Sequence, residues 1–405
     1  MLPIIVYIIS GIVNIIVLVL IILSYTTEII PAFTLLEIII MILALGYFDY
    51  LVYEKIKCSK KRNTFKYVIH VNGIRGKSTT TRLIDAGMRN CGYKVYSKTT
   101  GTLPYIINTD NIDEKVKRLG NANIREQIKM IDKAHKEKAE VLILECMAVN
   151  PELQYISEHQ ILEADITVIT NVRLDHIQEM GENLEDIAYA FCNTIPTNGH
   201  LVVNDSEFVK LFKEKANELD TVCHVAKPYD KEDTLDTFAE NIAVALEVAR
   251  VLNLDLDLFF EGMKNYHHDI GAFSKIKCED TLLLNGLSIN DPESIKTVYN
   301  EIIKEYDPNT ITILLNNRSD RPTRVIQHIE LLKDLSCKKI ILMGSNLTYV
   351  KNKLSKTVNV DIEILDSFEK LKEEKIIFAI GNIGGKGMEV IDYFHNNGEK
   401  IWQWD

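Results

Sequence analysis

Two apolar stretches open the chain, and a regular alternation follows them. Residues 1–27 contain no charged side chain, and residues 29–48 contain only Glu37. Each stretch is close to the roughly 20 residues that cross a bilayer as a helix. The short link 24–31, with Pro31 at its end, predicts a helical hairpin over 1–53. From Tyr67 onward, short apolar runs at 67–71, 93–97, 141–145, 166–170 and 201–204 alternate with amphipathic stretches near 78–90, 120–139 and 184–193. Such runs, too short for helices and separated by helical periodicity, predict a mostly parallel sheet covered by helices. The pattern resumes at 281–285, 310–316, 339–344 and 375–381. The expected fold class is therefore α/β in two units, a central domain over 67–278 and a smaller C-terminal domain over 279–405. Residues 54–66 read as a basic linker behind the hairpin.

Charge sharpens that division. Residues 1–66 carry six basic and four acidic side chains, a balance of +2 that leaves −13 of the chain's −11 total to residues 67–405. A region that acidic is a poor nucleic-acid binder, so none is expected as a partner. The first basic side chains are Lys55, Lys57, Lys60, Lys61, Arg62 and Lys66. By the positive-inside tendency they are expected to place the domain that follows on the cytoplasmic side of a cell membrane. A signal peptide is disfavoured, because no basic residue precedes the apolar run and no small-residue cleavage site is evident. The seven cysteines (58, 91, 146, 192, 223, 278, 337) form no C-x-x-C pair, which indicates neither a disulfide framework nor a zinc site.

The run Val71-Asn72-Gly73-Ile74-Arg75-Gly76-Lys77-Ser78-Thr79-Thr80 carries the strongest chemistry. Glycines let the backbone turn tightly, so that successive N–H groups and the start of the next helix face one anion. Lys77 adds a cation for outer phosphates, and Ser78 adds a hydroxyl suited to Mg²⁺. The spacing is shorter than G-x-x-x-x-G-K-[ST], since only two residues separate Gly73 from Gly76. The alternative is a surface turn that happens to contain Gly-Lys-Ser. Glu145, ending an apolar strand, is either a cap or an acid reaching Mg²⁺ at the sheet edge. His176, in Asn171-Val172-Arg173-Leu174-Asp175-His176, is either a bland surface histidine or a neutral imidazole ligand.

Several longer strings then resemble one family. Asn72-Gly73-Ile74-Arg75-Gly76-Lys77-Ser78-Thr79, Thr99-Thr100-Gly101, Glu145-Cys146-Met147-Ala148-Val149-Asn150-Pro151, Asp175-His176 and Thr194-Ile195-Pro196-Thr197-Asn198-Gly199-His200-Leu201 look like the ligase subunit of poly-γ-glutamate synthases, the CapB/PgsB type. The likeness continues through Asn290-Asp291, Asn316-Asn317-Arg318-Ser319-Asp320-Arg321 and Gly381-Asn382-Ile383. It covers the chain from about residue 66 onward. That family is similar to the Mur-type amide ligases and folylpolyglutamate synthases, which share the short Gly-x-x-Gly-Lys-[Ser/Thr] loop.

The resemblance implies a Mur ligase-like central domain and an ATP- and Mg²⁺-dependent reaction. A carboxylate is phosphorylated to an acyl phosphate, and an amine displaces phosphate to leave an amide. It implies that Asn72, Gly73, Arg75, Gly76, Lys77, Ser78 and Thr79 bind the nucleotide, with Asn241 against adenine and Asp291 near it. Ser78, Glu145 and His176 match Mg²⁺ ligand positions. Lys77, Glu145 and His176 form the catalytic set with Arg318 and Arg321, whose planar cations suit phosphate or glutamate carboxylates. A helix cap for Asn241, turn capping for Asp291 and ordinary surface arginines are the bland readings of the same residues. The expected partners are glutamate, the poly-γ-glutamate chain, the membrane and small membrane subunits of a synthase complex. The resemblance leaves a homo-oligomer open.

Two departures stand out. Phe191 occupies the place of the carbamoylated lysine of many Mur-type ligases, which puts a second Mg²⁺ site in doubt. Ser274, with Lys275 beside it, stands where the synthase subunits carry an arginine. Gly381-Asn382-Ile383-Gly384-Gly385-Lys386-Gly387 reads as a strand-to-helix turn of a closing domain in preference to a second phosphate loop. The rivals are the same chemistry on another γ-glutamyl acceptor and a membrane-tethered P-loop kinase or switch. A bacterial tyrosine kinase would end in a tyrosine cluster, whereas this chain ends Lys400-Ile401-Trp402-Gln403-Trp404-Asp405. A non-catalytic assembly subunit is disfavoured by the intact Lys77, Glu145 and His176.

Overall fold

The structure is a computed structural model describing residues 35–101, 104–118, 122–229, 238–268, 273–289, 292–318 and 322–404, together with 11, 14–19, 21–22 and 26. The first sheet contains β1 (Tyr67–Asn72), β2 (Val95–Lys98), β3 (Tyr105–Ile107), β4 (Asp113–Lys115), β5 (Val141–Glu145), β6 (Ile166–Ile169), β7 (His200–Val203) and β8 (Val222–Val225). Their order in space is β4-β3-β2-β5-β1-β6-β7-β8. Only the β2–β3–β4 edge is antiparallel. Val71 stands opposite Glu145, and Asn72 opposite Ile169. The ends of β5, β1 and β6 therefore lie side by side where the connections diverge, which opens a crevice at the carboxyl edge of the sheet.

Around this sheet run α1 (Leu35–Arg62), α2 (Lys77–Asn90), α3 (Glu126–Lys136), α4 (Pro151–Tyr155), α5 (Ile177–Met180), α6 (Leu184–Cys192), α7 (Val209–Glu218), α8 (Ala239–Val251) and α9 (Leu256–Met263). A π-helical stretch, Ile156–Leu162, continues α4. Period-two alternation divides the strands between two cores. Ile69, Val71, Val141 and Ile143 pack with Leu83, Ile84, Val244 and Phe259 of the helices on one face. Val68, Leu142 and Leu144 pack on the other with Cys58, Phe65, Ile131 and Leu162. Burial on both faces is why these strands read as continuous apolar runs.

Residues 54–62 are not a linker. They are the last turns of α1, docked on the central domain. Lys55 Nζ donates to the Gln160 carbonyl at 2.6 Å and pairs with Glu163 at 2.8 Å. Arg62 Nε donates to the Leu162 carbonyl at 3.0 Å and its Nη2 pairs with Asp165 at 3.0 Å. Lys61 pairs with Asp132, and Arg125 with Glu54 at 2.6 Å. The basic run thus meets the carbonyl end of the π-helical stretch, where positive charge is favoured, while Cys58 turns inward. Among the described residues no helix is long and apolar enough to cross a membrane. Glu37, Asp49 and Glu54 interrupt α1. The expected first apolar stretch falls largely outside the described residues, although Asn14 Nδ2 donates to Asp49 Oδ2 at 2.9 Å and so places residue 14 beside α1.

The second sheet joins β9 (Phe273–Cys278), β10 (Thr281–Asn285), β11 (Ile311–Asn317), β12 (Lys339–Gly344), β13 (Asp361–Ile364), β14 (Ile376–Gly381) and β15 (Glu399–Trp404). Its order is β13-β12-β11-β14-β10-β9-β15. The helices between and beside these strands are α10 (Pro292–Glu305), α11 (Pro322–Leu332), α12 (Leu347–Leu354) and α13 (Lys386–Asn397). Strand β9 is antiparallel to both β10 and β15. It therefore lies with the second sheet, although the sequence pattern assigns 273–278 to the central domain. Its lysines alternate with buried residues, so no apolar run announces it.

Candidate functional site

The phosphate-loop segment turns out of β1 where its two glycines are sterically required. Gly73 has φ +126°, and a Cβ there would come within 2.1 Å of Thr170 Oγ1. Gly76 has φ +77°, and a Cβ there would meet Asn241 Oδ1 at 2.2 Å. Helix α2 begins at Lys77 with no side-chain cap. A helix start without a side-chain cap leaves its first N–H groups to other acceptors such as an anion. Asn72 braces the turn: its Oδ1 accepts from Gly73 N at 2.8 Å, while its Nδ2 donates to Gln154 at 3.1 Å and Thr194 at 3.2 Å. Arg75 is held by its backbone, which receives Thr170 Oγ1 at 2.6 Å, and by its guanidinium, which pairs with Asp175 at 2.9 Å. Thr79 is buried inside α2, and Asn241 is buried against Gly76.

Lys77 curls back over the loop and donates to the Gly73 carbonyl at 2.7 Å and the Ile74 carbonyl at 3.3 Å. Burial holds its ammonium below the usual pKa, and nearby Glu145 opposes that shift. Glu145 Oε2 accepts from Ser78 Oγ at 2.8 Å and from Thr100 N at 2.7 Å. Lys77, Glu145 and His176 all line one cleft of about 370 Å³, together with Asn72, Gly73, Thr100 and Arg118. His176 has φ +52° and lies at the start of α5, with Nε2 3.9 Å from Asp175 Oδ2. A carboxylate already touching a hydroxyl, with an imidazole in the same cleft, suits a hard divalent cation that keeps water and phosphate oxygens as its other ligands. Among the described residues no group of three His, Cys, Asp or Glu gathers as a self-sufficient metal cage.

The second domain supplies the opposite wall. Arg318, Arg324, Asn382, Ile383 and Gly384 line the same cleft. A Cβ on Gly384 would come within 2.3 Å of Arg318 Nη1, so a side chain in the turn after β14 would displace that guanidinium. Asn316 Nδ2 donates to the carbonyls of Asn382 and, at 3.1 Å, Gly384. This is a braced turn at a cleft wall. Arg324 bridges the domains, donating to Asn382 Oδ1 at 3.2 Å and pairing with Asp175 at 3.4 Å. A second link runs from Arg173 Nη1 to Ser294 Oγ at 2.7 Å. Phe191 lines the cleft, so an apolar ring fills the position matched to the carbamoylated lysine. Lys275 Nζ pairs with Glu305 at 2.7 Å. Asp291 and Arg321 lie outside the described residues. Arg118, Arg324 and Thr100 are cleft residues that the sequence reading did not assign to the site.

The interdomain link carries a pH signature. Burial raises the pKa of Asp175, but Arg75, His176 and Arg324 outweigh it and hold the carboxyl below its ordinary value of 3.8. Because the folded value is depressed, the stabilisation is fully present above the ordinary value and is lost as pH falls through the depressed one. Asp175→Asn is expected to cost about 1.5–3 kcal/mol at neutral pH, the range for hydrogen bonds to charged groups. That difference should close as the pH drops below 3.8 in parallel thermal melts.

The comparisons with known proteins agree with this geometry. The Mur ligase middle domain model matches residues 71–269, and the poly-gamma-glutamate synthase CapB C-terminal domain model matches residues 271–397. PGA synthase CapB of Bacillus subtilis (strain 168) is 34% identical over 368 residues, covering 84% of this chain and 93% of that protein. The chain belongs to the CapB family. The capsule biosynthesis protein CapB of Bacillus anthracis is 33% identical over 366 residues, covering 83% of this chain and 78% of that protein. Among solved structures, the Yersinia pestis bifunctional folylpolyglutamate synthase/dihydrofolate synthase complexed with AMPPNP and Mn ion has the same fold. Its TM-score is 0.64 at 14% identity, covering 85% of this chain and 93% of that one. As a CapB family member, the chain carries its glycine-loop motif and its second-domain arginine on opposite walls of one cleft.

Proposed function

We propose that this protein is an ATP-dependent amide ligase that elongates poly-γ-glutamate through a γ-glutamyl phosphate. The observation that carries this reading is the single cleft in which the phosphate loop with Lys77, the Glu145–Ser78 pair and His176 face Arg318 and Arg324 of the other domain. Main-chain N–H groups of 73–78 and the Lys77 ammonium take the β- and γ-phosphates. Ser78, Glu145 and His176 would hold Mg²⁺, which supplies charge neutralisation between those phosphates. Arg318 and Arg324 draw the γ-carboxylate of the glutamyl substrate toward the γ-phosphorus, since the demand is to align two anionic reactants. A glutamyl γ-carboxylate oxygen then attacks the γ-phosphorus and ADP leaves. The amine of the next glutamate attacks the acyl carbon and expels inorganic phosphate.

Product analysis tests this directly. Glutamate carrying ¹⁸O in its carboxylates is expected to pass one label to the released phosphate, with ADP as the nucleotide product. AMP, or phosphate without label, would exclude the acyl phosphate even if polymer formed.

Membrane attachment of the N-terminal region belongs to the same reading. Its support is the ring of exposed apolar side chains on α1, among them Ile39, Ile40, Ile42, Leu43, Tyr47 and Phe48, followed by the cationic turns 55–62. Small membrane subunits would dock beside this region, with the catalytic domain cytoplasmic. Removal of residues 1–53 is expected to release an ATP-binding domain from washed membranes, because the ion pairs that dock α1 on the central domain run from Glu54 to Arg62. Retention in the membrane fraction would place the tether elsewhere.

A further inference from the structure

One cation in the cleft wall has no role in the nucleotide chemistry above. Arg118 follows β4 and lines the cleft beside Thr100, Gly101 and Glu145. Its guanidinium grips Glu126 through Nε at 2.6 Å and Nη2 at 3.1 Å. The same carboxylate receives Lys98 Nζ at 3.3 Å, with the Lys98 side chain 1% and the Glu126 side chain 11% exposed. Burial lowers the pKa of the Lys98 ammonium, and Glu126 opposes that shift. Burial would raise Glu126, but Arg118 and Lys98 hold it below the carboxylate range. A buried carboxylate shared by two basic groups fixes the guanidinium plane through Nε and one hydrogen of Nη2, and leaves the Nη1/Nη2 edge outside the grip. That is a preoriented fork for a second carboxylate.

The sheet order says which ligand reaches it. Across the carboxyl edge the elements run β2, β5, β1, β6, β7. Arg118 stands with the β2 side, beyond Glu145 of β5 from the Lys77 loop. Asn241 abuts Gly76 on the other side, and Asn204 Nδ2 at the end of β7 donates to the Glu240 carbonyl of α8 at 3.3 Å. A nucleotide with its phosphates on Lys77 and its nucleoside toward α8 therefore runs away from Arg118. What extends the opposite way from the γ-phosphate is the carboxylate being phosphorylated and the molecule that carries it.

We infer that Arg118 holds the α-carboxylate of the glutamyl substrate whose γ-carboxylate is phosphorylated, with Glu126 and Lys98 acting as positioning residues for its guanidinium. This rests on the ligase reading and adds to it the residue that recognises the substrate as a glutamyl group. Without such a contact, a chain carboxylate lacking its α-carboxylate neighbour would be phosphorylated equally well.

The test uses the full chain in detergent micelles and follows ADP release with glutamate or 4-aminobutyrate as the carboxylate substrate. The latter keeps the terminal carboxylate and lacks the α-carboxylate. Arg118→Gln is expected to raise the glutamate KM at least tenfold and to lower the preference for glutamate over 4-aminobutyrate at least tenfold. ATP affinity should stay within twofold. Arg118→Lys keeps the charge without the fork and guards against misfolding of the first variant; it should fall between that variant and the unaltered chain. Glu126→Gln should raise the glutamate KM while leaving kcat nearly unchanged. A parallel fall in ATP affinity in both Arg118 variants would move Arg118 to the phosphates and overturn the inference. So would an unchanged preference between the two substrates. Absence of glutamate-dependent ADP release in the unaltered chain would overturn the ligase reading, and the inference with it. A null confined to the variants overturns the inference alone.

Discussion

Replacement of Lys77 by alanine is expected to lower ATP turnover by about 10²–10³-fold or more, the range for removing one preorganised charge stabiliser from an active site. The side chain is partly exposed, and its ammonium rests on the carbonyls of Gly73 and Ile74 at the mouth of the loop. Both acceptors are neutral backbone carbonyls, so the substitution strands no charged hydrogen-bond partner and the fold should lose little. The cost falls on the β- and γ-phosphates, where charge redistributes during transfer. Lys77→Arg should rescue poorly, because a planar guanidinium does not fit a point-charge position wedged over two carbonyls. Steady-state ADP release with parallel thermal melts decides the matter. Turnover within tenfold of the unaltered protein, at unchanged stability, would remove Lys77 from the reaction.

Glu145→Gln should have the next largest effect, about 100-fold in turnover, accompanied by weaker Mn²⁺ binding in titration calorimetry. The amide keeps an oxygen that can accept from Ser78 Oγ or Thr100 N, both now on Oε2. The local hydrogen bonds are thus largely preserved while the negative charge facing a cation is lost. His176→Ala should weaken metal binding less, since an imidazole contributes no charge to a hard oxygen-preferring ion. Near-normal turnover in His176→Ala would leave that residue to its local role beside Asp175, where the two side chains lie 3.9 Å apart. Raising the Mn²⁺ concentration should restore part of the lost activity in either variant if the defect is in affinity. No recovery at saturating metal would place the defect in the chemical step.

Much of this cleft is legible in the sequence, for a definite reason. In a parallel sheet every strand's carboxyl end emerges on one edge. Residues that close the runs at 67–71, 141–145 and 166–170 must therefore converge if those strands are neighbours, and β5, β1 and β6 are. Glycine at positions 73 and 76 is likewise a local requirement of backbone geometry. The residues that escaped sequence reading have the opposite character. Arg118 follows a short antiparallel strand with no apolar run, and Arg324 lies on a helix of the other domain. Their proximity to Lys77 depends on how loops and domains pack, and no periodicity encodes that.

The same contrast holds for the chain as a whole. Alternating apolar runs and amphipathic stretches, with the glycines at 73 and 76, by themselves determined an α/β protein with two mostly parallel sheets and a tight turn after β1, because burial on both faces and the turn's dihedral needs are written residue by residue. Only the tertiary structure decided that residues 54–62 are a docked helix end and that β9 pairs with β10 and β15 in the second sheet. It alone placed Arg318 and Arg324 across the cleft from the glycine loop. Each of these depends on a partner distant in the chain: Glu163 and Asp165 for the basic turns, the carboxyl-terminal strand for β9, and Asp175 for Arg324. Local sequence specifies a segment's conformation and its apolar face. It does not specify which distant carboxylate or strand edge will complete it.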